Sequence, residues 1–240
     1  MLRAAAVISI AIGVAMFAMT SFLPLFVRVV IGASATGAGQ VLTPMMLAMM
    51  VGSAGGVQLV LRLGYRTVCG SGFAVAAVGV FLLTRVTVDA TRLDVSIAMA
   101  FIGFGTGFVF MSTALAAQSS VDLPRMGVAT GLVNFTRQLG GAMGVAIASA
   151  VLLSGLTSRL ADAFPGEEID TSRLLAPSTG GDPIPEAAQD LVRSAFAGAL
   201  HNVFVLTLVV IVVGAISVLL MPRGSATELR DRAQGHFIEE

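Results

Sequence analysis

The sequence predicts an all-α membrane protein, a six-transmembrane-helix bundle, and three observations carry that prediction. Of the 240 residues, 56% are apolar and only 12% are charged, about half the charged share of a soluble domain. The mean hydropathy is +0.91. Apolar segments long enough to cross a bilayer recur along the chain, since ~30 Å of hydrocarbon takes about 20 residues of helix. These runs are continuous and lack the alternation of a membrane β-barrel.

The spans fall at 4–27, 37–60, 67–86, 95–117, 127–156 and 200–221. The first is not a cleaved signal peptide: its apolar core is too long, and no small-residue cleavage site leads into a soluble domain. An even number of spans places both termini on one side. Arg3, Arg62, Arg66, Arg125, Arg137, Arg223, Arg230 and Arg232 share that side. Arg28, Arg85, Arg92, Arg159, Arg173 and Arg193 share the other. The excess sits with the termini, and Arg173, deep in a long loop, counts for little. The positive-inside rule therefore places both ends in the cytoplasm of a multi-pass protein of the cell membrane.

The bundle occupies residues 1–222. Within it, 157–199 is a long polar connection on the extracytoplasmic side, with Pro165, Pro177, Pro183 and Pro185 and an excess of acids over arginines. Such a stretch cannot bury a core and reads as an exposed loop. Its end carries a helix-start signal, Pro185 followed by Glu186. Residues 223–240 form a short cytoplasmic tail.

Composition also excludes. Net charge is zero, so neither a nucleic-acid partner nor a polybasic anchor is expected. The single cysteine, Cys69, excludes an internal disulfide and most metal sites. His201 and His236 are far apart, and neither a metal nor a cofactor is expected. No P-loop occurs, so the chain does not hydrolyse ATP. No acid lies inside the spans: Asp89, Asp94 and Asp122 fall in connections. Intramembrane enzymes need nucleophiles, bases or ligands at depth, and none are present.

The fifth span is the most informative. Gly127, Gly131, Asn134, Gln138, Gly141 and Val145 follow an alternating 4-3 spacing, which keeps them on one helix face. Arg137 lies one step to the side, in line with Gly140 and Gly144. Leu132, Phe135, Leu139 and Met143 point elsewhere. Small residues let backbones approach closely in lipid, and polar groups facing lipid are costly. This face is expected to point inward, with Asn134, Arg137 and Gln138 as candidates for a cavity or gate. Arg137 has two readings: an anchor snorkelling at the cytoplasmic interface, or a charge well inside the bundle.

The fourth span carries GFGTGFVF. Gly103 and Gly107 lie four apart, and Met111, Ala114 and Gln118 continue their face; Met111 and Gln118 join the cavity candidates. Gly105 lies almost opposite Gly103, so more than one side is narrow. Close packing or a hinge both suit this run. It is not a nucleotide site, because no strand precedes it. The packing glycines expected from both spans are Gly103, Gly107, Gly131, Gly140, Gly141 and Gly144. In the second span, Met45, Met46, Met49 and Met50 follow Pro44, either as filler or as an adaptable apolar surface. Pro44 is expected to bend that helix. The link LRLGYRT joins two spans through a glycine turn flanked by Arg62 and Arg66.

Taken in order, these stretches resemble the major facilitator superfamily, specifically the C-terminal half of the fourteen-helix drug/proton antiporters (EmrB/QacA-like). SFLPLFVRVVIGASATGAGQVLTP is similar to that family's helix, outer loop and following helix. GGVQLVLRLGYRTVCGSG resembles a degenerate cytoplasmic loop signature, with Arg62, Gly64 and Arg66 in place but Leu61 where an aspartate is usual. GFGTGFVF resembles its glycine-rich helix. ATGLVNFTRQLGGAMGVAIASAVL is the most specific match, and the resemblance spans about residues 4–222.

The resemblance implies half of a major facilitator fold, in which two six-helix halves rock around a midplane site. It implies small lipophilic substrates, often cationic, expelled in exchange for protons. The segments that hold the family's acidic coupling residues belong to the other half. A fragment of a longer transporter is therefore expected, with the bilayer and an N-terminal half, or a second copy, as partners. The alternative is a truncated or degenerate membrane protein that does not transport and acts as an interaction partner.

Overall fold

The computed structural model describes residues 2–86, 91–163 and 186–220. The prolines of the long connection and the tail at 223–240 lie outside the described residues. The chain forms α1 (Leu2–Val29), a short α2 (Ala35–Gln40), α3 (Leu42–Leu63), α4 (Tyr65–Thr84), α5 (Arg92–Gln118), α6 (Met126–Ala163) and α7 (Glu186–Ser217), with 3-10 turns at Leu123–Arg125 and Val218–Leu220. No strand occurs among the described residues. Six stretches have the length and apolarity to cross a membrane: Ala4–Val29, Thr36–Leu63, Tyr65–Thr84, Arg92–Gln118, Leu123–Arg159 and Arg193–Ser217. The protein is an all-α, integral membrane bundle.

Local chemistry sets the helix ends. Thr91 and Asp94 form a capping box at the start of α5: the Asp94 carboxylate accepts from Thr91 N at 2.9 Å, and Thr91 Oγ1 accepts from Asp94 N at 3.4 Å. Ser34 Oγ accepts from Gly37 N at 3.2 Å and opens α2. Pro44 does not bend α3 from within. It has no N–H to offer Gln40 O, and the helix breaks upstream, at Val41, between α2 and α3. Gly64 alone links α3 to α4, at φ 81 and ψ 162. That region is essentially closed to residues with a Cβ.

Two helices run beyond the expected spans. α6 continues to Ala163, and α7 begins at Glu186, where the helix-start signal at the end of the long connection places it, so both enter what the sequence reads as connection. Hydropathy marks where a helix leaves the membrane, not where it ends, and the first turns of α7, EAAQDLVRSA, are rich in helix formers. The extensions also meet. A Cβ on Gly198 of α7 would stand 2.5 Å from Arg159 Nη1 of α6.

α1 and α5 form the centre. α5 packs on α3 and α4, α1 packs on α6 and α7, and contacts of α4 with α7 and of α5 with α1 and α6 join the two groups. Ile8, Met19 and Phe26 of α1 meet Met99 and Ile102 of α5 and Phe204 of α7 in one apolar core. Phe26 and Phe204 pack edge to face, with centroids 5.8 Å apart. α3 is the most uncovered span: Met45 is 2% exposed beneath α5, whereas Met46, one residue on, is 63% exposed.

Backbone meets backbone at the main seams. Gly103 of α5 lies on the Met45 carbonyl of α3, and a Cβ on Gly107 would stand 2.5 Å from Met49 O. On its other side α5 turns Gly105 onto Gly72 and Ala76 of α4. α1 and α6 approach as closely: Gly13 lies on the Arg137 carbonyl, and a Cβ on Gly140 would stand 2.5 Å from Ile10 O. Gly141 packs under the Phe17 ring and Gly144 against Val14. Gly131 differs, because nothing lies within 4 Å of the Cβ it lacks.

This sorting predicts opposite outcomes for glycines of one helix. Gly140→Leu should push α6 off α1 and lower the thermal midpoint of the detergent-solubilised protein by several degrees, a loss on the order of 2 kcal/mol or more. Gly131→Ala should leave the midpoint unchanged or raise it, because alanine is the better helix former by roughly 0.5–1 kcal/mol. Gly64→Ala should destabilise by about 1–3 kcal/mol through backbone strain alone. Melting curves of the three variants in one detergent check all of these.

Candidate functional site

The buried hydroxyls are satisfied within their own helices. Ser9 donates to Ala5 O at 2.7 Å, Thr106 to Ile102 O at 2.7 Å and Thr113 to Val109 O at 2.8 Å. Such back-bonding lets small polar residues sit in an apolar bundle at little cost. One buried side chain breaks the pattern. Arg137 is only 8% exposed, and its Nη1 is the one buried side-chain nitrogen or oxygen without a partner among the described residues.

Three neighbours fix Arg137. Its backbone carbonyl faces Gly13 of α1. Its Nη2 donates to Asn134 Oδ1, one turn earlier on α6. Its Cζ lies 3.9 Å from the centroid of the Phe110 ring on α5, close enough that the planar guanidinium must lie on the ring face. The side chain is therefore turned into the bundle rather than outward to the headgroups. Gly13 lies ten residues beyond Arg3, so Arg137 is level with a point ~15 Å into α1 at 1.5 Å per residue.

The broad face expected on α6 divides in two. Arg137, Gly140, Gly141 and Gly144 are covered, while Gly127, Gly131, Asn134 and Gln138 are uncovered. Beside that uncovered polar strip lies an apolar one, Leu132, Phe135, Leu139 and Met143, also exposed. The bulky strip suits lipid. The polar strip does not, since every amide facing hydrocarbon is costly.

The other candidates lie nearby or apart. Met111 is half-buried beside Phe110 on α5. Gln118 Nε2 donates to Thr130 Oγ1 of α6 at 3.3 Å and so ties the two helices close to their short connection. It does not meet Arg137. Arg62 is exposed, Arg66 half-buried and Gly64 buried in the α3–α4 link, which groups these three away from the Arg137 cluster. Among the described residues no three His, Cys, Asp or Glu side chains gather as a metal site. Cys69 is buried. Asp94, the acid at the start of α5, is exposed.

Sequence reasoning missed Phe110 and Gly13. Phe110 sits inside the quoted GFGTGFVF run, but a ring on one helix and a guanidinium on another share no local pattern. Gly13 is a lone glycine in an apolar helix. Its single signal is that it lacks a side chain where α6 turns out to cross.

A bundle of six spanning helices, with glycine seams and a polar strip uncovered on one side, is the architecture of one half of a secondary transporter. Comparisons with known proteins agree. Residues 1–145 match the family model described as Major Facilitator Superfamily. Multidrug transporter protein MdtP of Bacillus subtilis (strain 168) is 32% identical over 235 residues, covering 87% of this chain and 43% of that protein. Multidrug resistance protein 3 of the same organism is 31% identical over 211 residues, covering 83% of this chain and 41% of that protein. A bacterial homolog of the human lysosomal transporter Spinster, solved inward-facing and occupied, shares the fold at a TM-score of 0.65 and 15% identity, covering 95% of this chain and 49% of that one. The chain belongs to the Major Facilitator Superfamily, a family of transporters rather than enzymes. It spans less than half the length of these relatives.

A buried charge with unmet hydrogen-bond donors is a weak stabiliser. Arg137→Met should therefore fold with a melting midpoint within a few degrees of the parent, up or down, even though it alters the polar cluster. Phe110→Leu should cost about 1–2 kcal/mol, by removing a desolvated cation–π contact. Detergent melting curves of the two variants give the comparison.

Proposed function

We propose that this chain is one half of a multidrug secondary transporter, working with an N-terminal half to expel small lipophilic compounds by proton antiport. The carrying observation is the uncovered polar strip of α6, Asn134 and Gln138, beside the buried Arg137. Lipid would penalise that strip, so it belongs against a water-filled cavity, and a second bundle supplies the other wall. Asn134, Arg137, Gln138 and Met111 line or gate the cavity, and Gln118 holds α5 to α6 at its cytoplasmic end. The names of the B. subtilis relatives support drug-like substrates, and the fourteen-helix subtype follows from the motif order.

In this reading the protein lies in the cell membrane with both termini in the cytoplasm. Alternating access comes from rocking the halves, and the tight glycine seams make this half move as a unit. The mid-span carboxylates that carry protons come from the partner half, because the carboxylate in this chain's described spans, Asp94, sits exposed in the first turn of α5.

A second reading has one observation in its favour. Leu61, which stands where the loop signature usually has an aspartate, is exposed at the end of α3, as expected of a degenerate, non-transporting partner protein. Efflux of a fluorescent lipophilic dye from cells or proteoliposomes separates the two. The chain paired with a matching N-terminal half should drive efflux that an uncoupler abolishes, and the chain alone should not. Arg137→Ala and Gln138→Ala should each cut paired efflux at least several-fold; unchanged efflux in both would favour the degenerate reading.

A further inference from the structure

We propose that Arg137 is the recognition point for an anionic group, the carboxylate of a lipophilic substrate, and that Asn134 occupies its place when no such ligand is bound. The inference rests on the transport reading and names the charge class of the substrate, which motif order leaves as often cationic.

The first argument is charge. Arg137 is the buried ion of the described spans, and no described carboxylate faces it: Asp94 and Asp122 are exposed at or beyond helix ends. An organic cation entering beside α6 would meet like charge and no counter-ion from this bundle. An anion would meet a guanidinium already stripped of water, where a charge-assisted hydrogen bond is strongest.

The second argument is unmet bonding. A guanidinium has five N–H donors. Here Nη2 donates to a neutral amide oxygen, Asn134 Oδ1, and Nη1 to nothing. Phe110 covers the face of the group, which leaves the edge formed by Nη1 and Nη2 for ligands. A carboxylate binds that edge through two parallel hydrogen bonds. Asn134 Oδ1 holds one of the two positions, and Nη1 at the other is buried without a hydrogen-bond partner.

The third argument is access. Asn134 is exposed, so its side chain stands between the guanidinium edge and the uncovered polar strip. Turning it away opens the edge on that side. Gly131, one turn earlier, adds open space there, with nothing within 4 Å of its missing Cβ. Phe110 and Met111 offer an apolar wall for the ligand's body.

The test is binding to the chain in lipid nanodiscs, alone and paired with a matching N-terminal half. The probes are naphthylacetate, neutral naphthylacetamide and naphthylmethylammonium. Naphthylacetate should bind at least about tenfold more tightly than the other two, the worth of one hydrogen bond to a charged group. Arg137→Gln should erase that preference. Arg137→Lys, which keeps the charge but loses the two-pronged edge, should fall between. Asn134→Ala removes the competing acceptor and should not weaken naphthylacetate. Equal binding of the three probes to the parent overturns the proposal, as does a naphthylacetate affinity indifferent to Arg137→Gln. The parent comparison needs no variant to fold. Efflux of the ammonium but never of the carboxylate would leave the transport reading standing and remove this one. Carboxylate binding at Arg137 without efflux of any compound would do the reverse.

Discussion

The contact on which the rest depends is backbone against backbone without an intervening side chain. In lipid, apolar helices gain nothing by hiding from the solvent, and association comes from packing and from polar contacts. Gly103 on the Met45 carbonyl, Gly105 on Gly72 and Gly13 on the Arg137 carbonyl are the places where that packing is closest. Each fixes not only a distance but a register. A helix held at Gly13 cannot slide by a turn without driving the side chain of Ser9 or Phe17, four residues away, onto the Arg137 carbonyl. The position of Arg137 opposite Phe110 is a consequence of those registers, since α6 is set by α1 and α5 by α3 and α4.

Close packing also explains the distribution of polar groups. Buried serines and threonines satisfy themselves on the preceding turn and need nothing from neighbours. Arginine cannot do so. It is too long and carries too many donors, and burying it commits the bundle to partners on other helices. Phe110 and Asn134 supply part of what it needs. Its Nη1 is the one unmet demand among the buried side chains described, and it sits next to the one strip of α6 that lipid should not cover.

The fold class was legible because it depends on sums. Twenty apolar residues make a span whatever their order. The site was less legible because it depends on pairings. Gly103, Gly105 and Gly131 look alike in the sequence, yet the first packs on α3, the second on α4 and the third on nothing. Asn134, Arg137 and Gln138 share a helix side by periodicity, but the 40° between Arg137 and Gly141 and the 60° between Arg137 and Asn134, at ~100° per residue, decide which is covered. That edge is set by where α1 ends its contact, which no local pattern encodes. The late end of α6 escaped for a different reason: a hydropathy window registers the membrane and is blind to the helix outside it, whereas the start of α7 carries its own local signal, Pro185 followed by Glu186.

The α3–α4 link shows how folding and function can part within one motif. Gly64 holds a conformation that a Cβ would forbid, and its N–H still closes onto Val60 O at 3.0 Å. Without that glycine, two spans could not be joined by a single residue. Arg62 and Arg66 flank it at the membrane edge, where positive charge is favoured on the cytoplasmic side. Leu61, one residue before Arg62, is exposed and makes no demand on this bundle. Gly64 and its two flanking arginines thus serve the turn and the membrane edge, which are demands of the bundle itself.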